Sequence, residues 1–282
     1  MRHKFLALAG AALWLILSAA TLARAATLDV PTPYIPSTRM NADEMLRVGG
    51  VTPADVVYDL GSGDGRIVIA AAKDYGARGV GIELDPALVK LSSDNARNAG
   101  VADRVLFHQG DVLTADIKDA TVVTMYLLTS LVAKLEPRLL NELKPGTRIV
   151  AHDYGFEKWK PDREVKISKT YYLYVVPARV AGQWRIDSAL VRGREFILSL
   201  EQQYQQIRGG VTGGGGFLLA FEARLSGERI GFVLAENDMS HRYEGEVRGD
   251  VMEGVVRSGY GPTLIERPWR AQRVVRANST GQ

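Results

Sequence analysis

The segment DLGSGDGR, residues 59–66, places an acid ahead of three glycines at alternate positions, directly after the apolar residues 56–58. A glycine-rich turn between a strand and a helix lets the backbone approach a ligand, and the helix N-terminus adds positive partial charge. Its spacing differs from the Gly-x-Gly-x-x-Gly of dinucleotide-binding loops. Asp59 would repel a pyrophosphate and attract a cation. The loop therefore favours a ligand with a cationic group over a dinucleotide.

Two further acids follow the next two predicted strands. Glu83, in GVGIELD, lies 18 residues after Gly65, close to the spacing at which such folds place an acid that binds ribose hydroxyls. Asp111, in FHQGDVL, could accept a hydrogen bond from an adenine amino group. Together with the loop, these acids predict a site for an adenosine ligand. We expect no metal, because His108 and His152 lack a spaced ligand set.

Short aliphatic runs alternate with helical stretches between residues 56 and 178, which predicts a parallel sheet with crossover helices. One helix is well delimited, with Asp85 as N-cap, Pro86 at the first helical position and Gly100 as its end. The last two strands, DREVKIS and TYYLYVVPA, are too close together for a helix between them. They predict a terminal hairpin.

The pattern changes after residue 178 to alternating apolar and polar residues with frequent glycines, which predicts an antiparallel meander over residues 179–275. This second domain is expected to be a small barrel or sandwich. GGVTGGGG, residues 209–216, predicts a flexible loop. The glutamines of EQQYQQI, residues 201–207, indicate a solvated strand face, and residues 276–282 a disordered tail.

Residues 1–25 have the form of a targeting segment, with the basic start MRHK, a 19-residue apolar run and a small-x-small Ala-Arg-Ala. A cleaved signal peptide and an uncleaved membrane anchor are both open. The expected location is the cell envelope, periplasmic if the segment is cleaved and anchored in the inner membrane if it is not. The segment holds three basic residues and no acid, so the rest of the chain carries 32 charges of each sign. We therefore expect no nucleic-acid partner.

The loop and its acids resemble those of class I, seven-stranded S-adenosylmethionine-dependent methyltransferases. YIPST (34–38), DLGSGDGRIVIAAAK (59–73), GVGIELDPALV (79–89) and KWKPD (158–162) are similar to the family of the ATP synthase c-subunit and adenine nucleotide translocase lysine methyltransferases. DLGSG is also similar to the non-SET histone lysine methyltransferases. The resemblance covers about residues 33–178. It implies an α/β fold: a Rossmann-like seven-stranded methyltransferase sheet over residues 27–178, followed by the small antiparallel β-domain.

The resemblance also implies how the cofactor, S-adenosyl-L-methionine, is bound. The loop acids and glycines surround its methionine portion, the acid after the second strand binds its ribose, and the acid after the third strand binds its adenine. The residues concerned are Asp59, Gly61, Ser62, Gly63, Asp64, Glu83 and Asp111.

On the acceptor side, Tyr126 in TMYLL occupies the end of the fourth strand, where class I enzymes keep substrate-facing residues; it is the candidate catalytic residue. Many relatives that methylate amines have Asn/Asp-Pro-Pro-Tyr there, and this sequence does not. YIPST is expected to fold over the cofactor as a lid, with Tyr34 and Ser37 as its most useful side chains. Tyr154 and Trp159 are candidates to line an aromatic mouth.

The leading hypothesis is a protein-lysine N-methyltransferase that transfers the methyl group in line to a neutral amine. Neutralising a lysine costs about 4.6 kcal/mol at pH 7, which a dry aromatic mouth would help to offset. His152 or Asp153 could receive the proton. The eukaryotic relatives carry an apolar segment as an anchor beside membrane-embedded substrates, so a membrane-protein acceptor and membrane contact through an uncleaved N-terminal segment are expected.

Three alternatives remain. A small-molecule methyltransferase shares the same fold. A dinucleotide oxidoreductase conflicts with Asp59 and with the glycine spacing. A non-catalytic envelope protein is the third, because S-adenosylmethionine is made in the cytosol, whereas a cleaved signal would export the domain.

Overall fold

The computed structural model describes residues 37–188, 196–213, 216–236, 239–259 and 264–276. The predicted targeting segment, Tyr34 and residues 277–282 lie outside these ranges. No helix in the described part of the chain is long and apolar enough to cross a membrane. The first domain consists of α1 Arg39–Val48, β1 Val56–Leu60, α2 Arg66–Tyr75, β2 Arg78–Glu83, α3 Pro86–Ala99, β3 Val105–Gln109, β4 Val122–Met125, α4 Thr129–Glu142, β5 Arg148–His152, β6 Arg163–Lys166 and β7 Thr170–Val175.

These seven strands form one sheet in the order β3-β2-β1-β4-β5-β7-β6. Strand β1 lies inside the sheet and pairs in parallel with β2 on one side and β4 on the other. Strand β7 runs antiparallel to both β5 and β6, which confirms the predicted hairpin. The chain adds β2 and β3 on one side of β1 and then β4 and β5 on the other, so the strand order reverses between β1 and β4. In open α/β sheets, ligands bind at the carboxyl ends of the strands beside such a point.

The boundaries of α3 follow from its terminal residues. The Asp85 carboxylate accepts a hydrogen bond from the Ala87 amide at 2.8 Å, and Pro86 occupies the first turn. Gly100 ends the helix in the left-handed conformation, with φ 73°. Both ends therefore agree with the prediction, because each depends on a side chain or a glycine next to it in sequence.

Helix α2 begins close to the sheet because two glycines leave room for one aromatic ring. A Cβ atom at Gly65 would lie 2.7 Å from the Phe107 ring and 2.8 Å from the Cβ of Ser92. A Cβ atom at Gly81, on β2, would lie 2.5 Å from both Phe107 and the Ser62 hydroxyl. Phe107 is thus confined from two sides, and the glycine loop lies directly against the strand ends.

The second domain is an antiparallel barrel. Each strand pairs with the next one along the chain except β11 with β12, and β16 pairs with β8. Only Ala220 separates β11 from β12; β11 pairs with β10 and β12 with β13, so the ring of strands nearly closes. The strands are β8 Gly182–Ser188, β9 Phe196–Gln203, β10 Gln206–Gly213, β11 Gly216–Leu219, β12 Phe221–Ser226, β13 Arg229–Glu236, β14 Met239–Arg248, β15 Val251–Ser258 and β16 Ile265–Arg276.

Large side chains fill the interior of this barrel. Trp184 and Trp269 are buried, and Phe232 stacks on Tyr243 with ring centroids 4.8 Å apart. A barrel of about eight strands has an interior that side chains can fill. The barrel therefore forms a packed core of its own.

The predicted flexible loop at residues 209–216 is wrong for residues 209–213, which belong to β10. Residues of the paired strands lie very close to the Cα atoms of Gly209 and Gly210, which leaves no space for a side chain. A Cβ atom at Gly209 would lie 1.9 Å from the Ser199 carbonyl oxygen, and one at Gly210 would lie 2.4 Å from the Phe217 ring. These glycines permit close approach of strands, which produces the same sequence pattern as a loop.

Replacing Gly65 by Ala tests the close packing at the start of α2. We expect a loss of about 2–4 kcal/mol in the free energy of unfolding, because left-handed strain and a clash with Phe107 add together. Gly100→Ala is the matched control, since its φ is also positive but nothing lies within 4 Å of an added Cβ. It should cost only about 1–2 kcal/mol. Equal losses in urea denaturation would show that packing at Gly65 is unimportant.

Candidate functional site

The loop between β1 and α2 is built from three glycines with positive φ. Gly61, Gly63 and Gly65 have φ values of 81°, 53° and 81°, a region that other residues rarely adopt. The amides of Gly61 and Ser62 donate hydrogen bonds to the Ile82 carbonyl at 2.9 and 3.0 Å. The alternate spacing of the glycines therefore corresponds to alternate left-handed residues, which fold the loop over the end of β1.

Asp59 lies beneath this loop and is only 3% exposed. Burial raises the pKa of its carboxyl group to about 7, although the hydroxyl of Thr124 donates a hydrogen bond to it at 2.8 Å and opposes the shift. The negative charges of Glu83 and Asp64 raise it further. Within the described ranges, no basic side chain forms an ion pair with Asp59. A buried carboxylate in this setting favours a cationic ligand.

Glu83 is the last residue of β2, and Asp111 follows β3, the next strand beyond β2. Glu83 accepts hydrogen bonds from the amides of Gly63, Leu84 and Asp85 at 2.8–3.0 Å, which fixes its carboxylate against the loop. A carboxylate has about four acceptor positions, so Glu83 can accept from one more donor. Asp111 is exposed, and one of its oxygens accepts from the Leu113 amide at 2.8 Å. Asp59, Glu83 and Asp111 thus follow or end three adjacent strands at one edge of the sheet.

Asp64 and Ser37 are linked by a residue that the sequence analysis did not single out. Arg66 donates to the Asp64 carboxylate at 2.8 Å through Nε, and its guanidinium also donates to the Ser37 carbonyl. Ser37 is buried, and the next residue, Thr38, caps α1 through a bond to the Asn41 amide at 3.1 Å. Arg66 therefore joins the end of YIPST to the glycine loop. Its position directly after GDG was the available signal.

A column of aromatic rings lies at the carboxyl ends of β4 and β5. The ring of Tyr126 is 4.2 Å from that of His152, and Tyr154 lies nearly parallel to Tyr126 at 6.5 Å. His152 stacks in turn on Tyr171 at 5.1 Å, and the Tyr171 hydroxyl donates to Asn41 at 3.1 Å. Tyr154 is 41% exposed. The column therefore runs from an exposed tyrosine at the strand ends to helix α1.

The two predicted proton acceptors, His152 and Asp153, differ in charge. His152 is 1% exposed, its ring nitrogens have no hydrogen-bond partner in the described region, and burial lowers its pKa, so it is neutral near pH 7. Asp153 has a φ of 60° and binds Lys169 at 2.8 Å. Burial would raise the pKa of Asp153, but hydrogen bonds from Lys169 and Thr170 outweigh it and lower the pKa. Asp153 is therefore ionised and engaged with Lys169.

Trp159 does not line the acceptor mouth, so that prediction is wrong. Its ring is 0% exposed and packs on Phe156 at 5.2 Å and on Tyr174 at 5.1 Å. On the other side it stacks on Tyr204 of the barrel at 5.8 Å. Trp159 is enclosed by aromatic rings from both domains, and among the predicted mouth residues only Tyr126 and Tyr154 lie together.

Comparisons with known proteins identify the family of this chain. The ANTKMT methyltransferase domain family matches residues 59–163. A protein-lysine N-methyltransferase from Saccharolobus islandicus is 41% identical over 150 residues, which cover 51% of this chain and 93% of that protein. The chain belongs to this methyltransferase family. The ATP synthase c-subunit lysine N-methyltransferase of Mus musculus is 35% identical over 162 residues, 57% of this chain and 60% of that protein.

A solved structure agrees in fold. The RNA methyltransferase from Salinibacter ruber in complex with S-adenosyl-L-homocysteine has 52% sequence identity and a TM-score of 0.51, over 52% of this chain and 96% of that one. The chain is an S-adenosylmethionine-dependent methyltransferase, as predicted. Its residues fit the cofactor: Asp59 offers a buried carboxylate to the amino group, and the buried Ser62 hydroxyl has no partner in the described region. The family match ends before the barrel.

The pKa of Asp59 predicts how cofactor binding depends on pH. The ammonium group requires an ionised carboxylate, and below pH 7 the free enzyme must first lose a proton. The Kd for S-adenosylmethionine should therefore rise about tenfold between pH 8 and pH 6. Asp59→Asn should bind weakly with no such dependence. Thr124→Val should shift the pH at which the Kd begins to rise to a higher value, because the lost hydrogen bond stabilises the ionised form of Asp59. A flat wild-type profile in calorimetric titrations would contradict this role.

Proposed function

We propose that this enzyme methylates the ε-amine of lysine in a protein acceptor. The aromatic pair Tyr126 and Tyr154, placed at the carboxyl ends of β4 and β5, carries the proposal. The similarity to the Saccharolobus islandicus protein-lysine N-methyltransferase supports it, because this chain covers 93% of that protein.

Methyl transfer requires that the acceptor amine is aligned with the methyl group and that water is excluded from the entrance of the site. S-adenosylmethionine supplies an activated sulfonium methyl group when bound. The acceptor lysine must be neutral, and the aromatic wall lowers the pKa of an incoming ammonium by removing water from it. Tyr126 and Tyr154 also attract the incoming ammonium through their ring faces, and once it has lost its proton to solvent their rings align the neutral amine. The neutral imidazole of His152 lies directly behind Tyr126 and fixes the plane of its ring.

An RNA acceptor is the second candidate, because the Salinibacter ruber structure is that of an RNA methyltransferase. RNA binding requires lysines or arginines that contact phosphates. At this mouth Lys169 is paired with Asp153, and the neighbouring exposed side chains include the apolar Leu128 and Tyr154. These surroundings favour a protein acceptor over a phosphate backbone.

We also propose that residues 1–25 remain attached as a membrane anchor, with the catalytic domain facing the cytosol. The 19-residue apolar run supports an anchor. The cytosolic origin of S-adenosylmethionine favours this arrangement over export. Relatives named for the ATP synthase c-subunit and for adenine nucleotide translocase suggest membrane-protein acceptors. A reporter fused after Arg39 should be active on the cytosolic side; activity only on the opposite side would contradict the orientation.

Acceptor class can be decided by incubating the full-length enzyme and labelled S-adenosylmethionine with membrane proteins and, separately, with total RNA. We expect label in protein, recovered after acid hydrolysis as ε-methyl-lysine. The Asp59→Asn variant should transfer no label, and it serves as the control for contaminating enzymes. Nuclease-sensitive label in RNA and none in protein would establish the second candidate.

Substitutions at Tyr126 separate its ring from its hydroxyl. Tyr126→Ala should lower kcat/KM for the acceptor by about tenfold, equivalent to ~1.4 kcal/mol, because the ring no longer contacts the ammonium. Tyr126→Phe keeps the ring and should retain most of the activity. Cofactor affinity should be unchanged in both variants. If Tyr126→Phe is as inactive as Tyr126→Ala, the hydroxyl takes part in the reaction and the ring is not sufficient.

A further inference from the structure

The hairpin of β9 and β10 carries an unusual residue at its tip. Its two-residue turn consists of Tyr204 and Gln205, and Tyr204 has a φ of 54°. Two-residue hairpin turns usually have glycine or asparagine where φ is positive. A tyrosine in this conformation is strained, and such strain persists where other contacts stabilise it. Of the glutamines predicted to form a solvated strand face, Gln203 and Gln206 are exposed, whereas Gln205 lies in the turn and is half-buried.

The tip of this hairpin contacts the methyltransferase domain at three points. The ring of Tyr204 stacks on Trp159 with an interplanar angle of 1°, and its hydroxyl donates to Glu136 of α4 at 2.6 Å. Burial and this bond to Glu136 raise the pKa of Tyr204 to about 12, so the hydroxyl stays protonated and donates. The Gln205 side chain donates to the Lys160 carbonyl at 2.7 Å.

The strand residue just before the hairpin tip is fixed to the linker between the domains. The side-chain amide of Gln202 donates to the Ala178 carbonyl and accepts from the Val180 amide, at 2.8 and 2.7 Å. Arg273 of β16 donates to the Ala181 carbonyl at 2.7 Å. These bonds hold the hairpin in a fixed orientation to the end of the first domain.

Trp159 packs between Tyr204 and the segment that follows Tyr154, so it connects the barrel to that segment. Its indole nitrogen has no hydrogen-bond partner in the described region, so its position depends on the rings around it. Phe156 packs on Trp159, and its amide donates to the Tyr174 hydroxyl at 3.0 Å. Gly155 leaves no room for a side chain, since a Cβ atom there would lie 2.3 Å from the Tyr174 hydroxyl. Residues 155–160 are thus held between β7 and the barrel.

We propose that Tyr204 is a positioning residue, through which the barrel fixes residues 154–160 and thereby the acceptor side of the methyl-transfer site. The barrel is then part of the acceptor-binding machinery rather than an independent appendage. Cofactor binding is assigned to the carboxyl ends of strands β1, β2 and β3, whereas Tyr204 stacks on Trp159 and donates to Glu136 of α4. The predicted effect of Tyr204 on acceptor binding rests on the proposed function. Its effect on the position of residues 154–160 does not depend on that function.

Hydrogen exchange of the full-length protein tests the structural half of this proposal. In Tyr204→Gly, which removes the ring and relieves the strained φ, the amides of residues 154–160 should exchange about tenfold faster than in the wild type. Amides of β1 and β2 should be unchanged. Tyr204→Phe keeps the stacking on Trp159 and should show a smaller increase. Phe217→Ala is the matched control, because it removes an exposed aromatic ring from the same barrel. Unchanged exchange in Tyr204→Gly would overturn the proposal.

Methylation of poly-L-lysine tests the functional half. Tyr204→Gly should raise the KM for this acceptor about fivefold or more, with kcat changed less and the Kd for S-adenosylmethionine within about twofold of the wild type. Tyr204→Phe should restore most of the loss. An unchanged acceptor KM despite faster exchange would assign Tyr204 a purely structural role and overturn the positioning claim. If the wild type does not methylate poly-L-lysine, the proposed function fails for this acceptor, and the exchange comparison still decides whether Tyr204 fixes the segment.

Discussion

The buried carboxyl group of Asp59 is the constraint on which the methyl-transfer site depends. It lies on β1 beneath a loop of three left-handed glycines, and the hydroxyl of Thr124 on the neighbouring strand β4 donates a hydrogen bond to it. Burial makes its ionised form costly, and two nearby acids add to that cost. A ligand that brings an ammonium group relieves both effects. The glycine spacing and the acid before it therefore fit an ammonium group, which a dinucleotide lacks.

The two halves of the sheet edge have different chemistry. Carboxylates at or just after the ends of β1, β2 and β3 accept hydrogen bonds, whereas β5, β7 and the residue directly after β4 contribute stacked rings. This division suits methyl transfer, because the cofactor must be held by polar groups while the acceptor amine must lose its water and its proton. Arg66 links the loop to the chain before α1, and Asn41 of α1 links back to the aromatic column. Helix α1 thus connects the cofactor side to the acceptor side.

Features that depend on neighbours in sequence were predictable, and features that depend on distant contacts were not. The glycine loop, the acids after the strands and the ends of α3 follow from local chemistry. Trp159 lies between lysines in KWKPD, a setting that resembles an exposed aromatic. Its burial depends on Tyr204, a residue 45 positions later in another domain. Gly209 and Gly210 show a second limit, because one residue type serves both flexible loops and close strand packing.

The most direct test of this account is a calorimetric comparison of S-adenosylhomocysteine with 5′-methylthioadenosine; both are uncharged at sulfur, and only the first carries the amino-acid portion. At pH 8, we expect wild-type protein to bind S-adenosylhomocysteine about 100-fold more tightly, since charge-assisted hydrogen bonds of a buried pair contribute roughly 1.5–3 kcal/mol each. In Asp59→Asn this preference should nearly disappear while 5′-methylthioadenosine binds as before. Equal affinities in the wild type, or an undiminished preference in Asp59→Asn, would contradict the claim that Asp59 selects the cofactor.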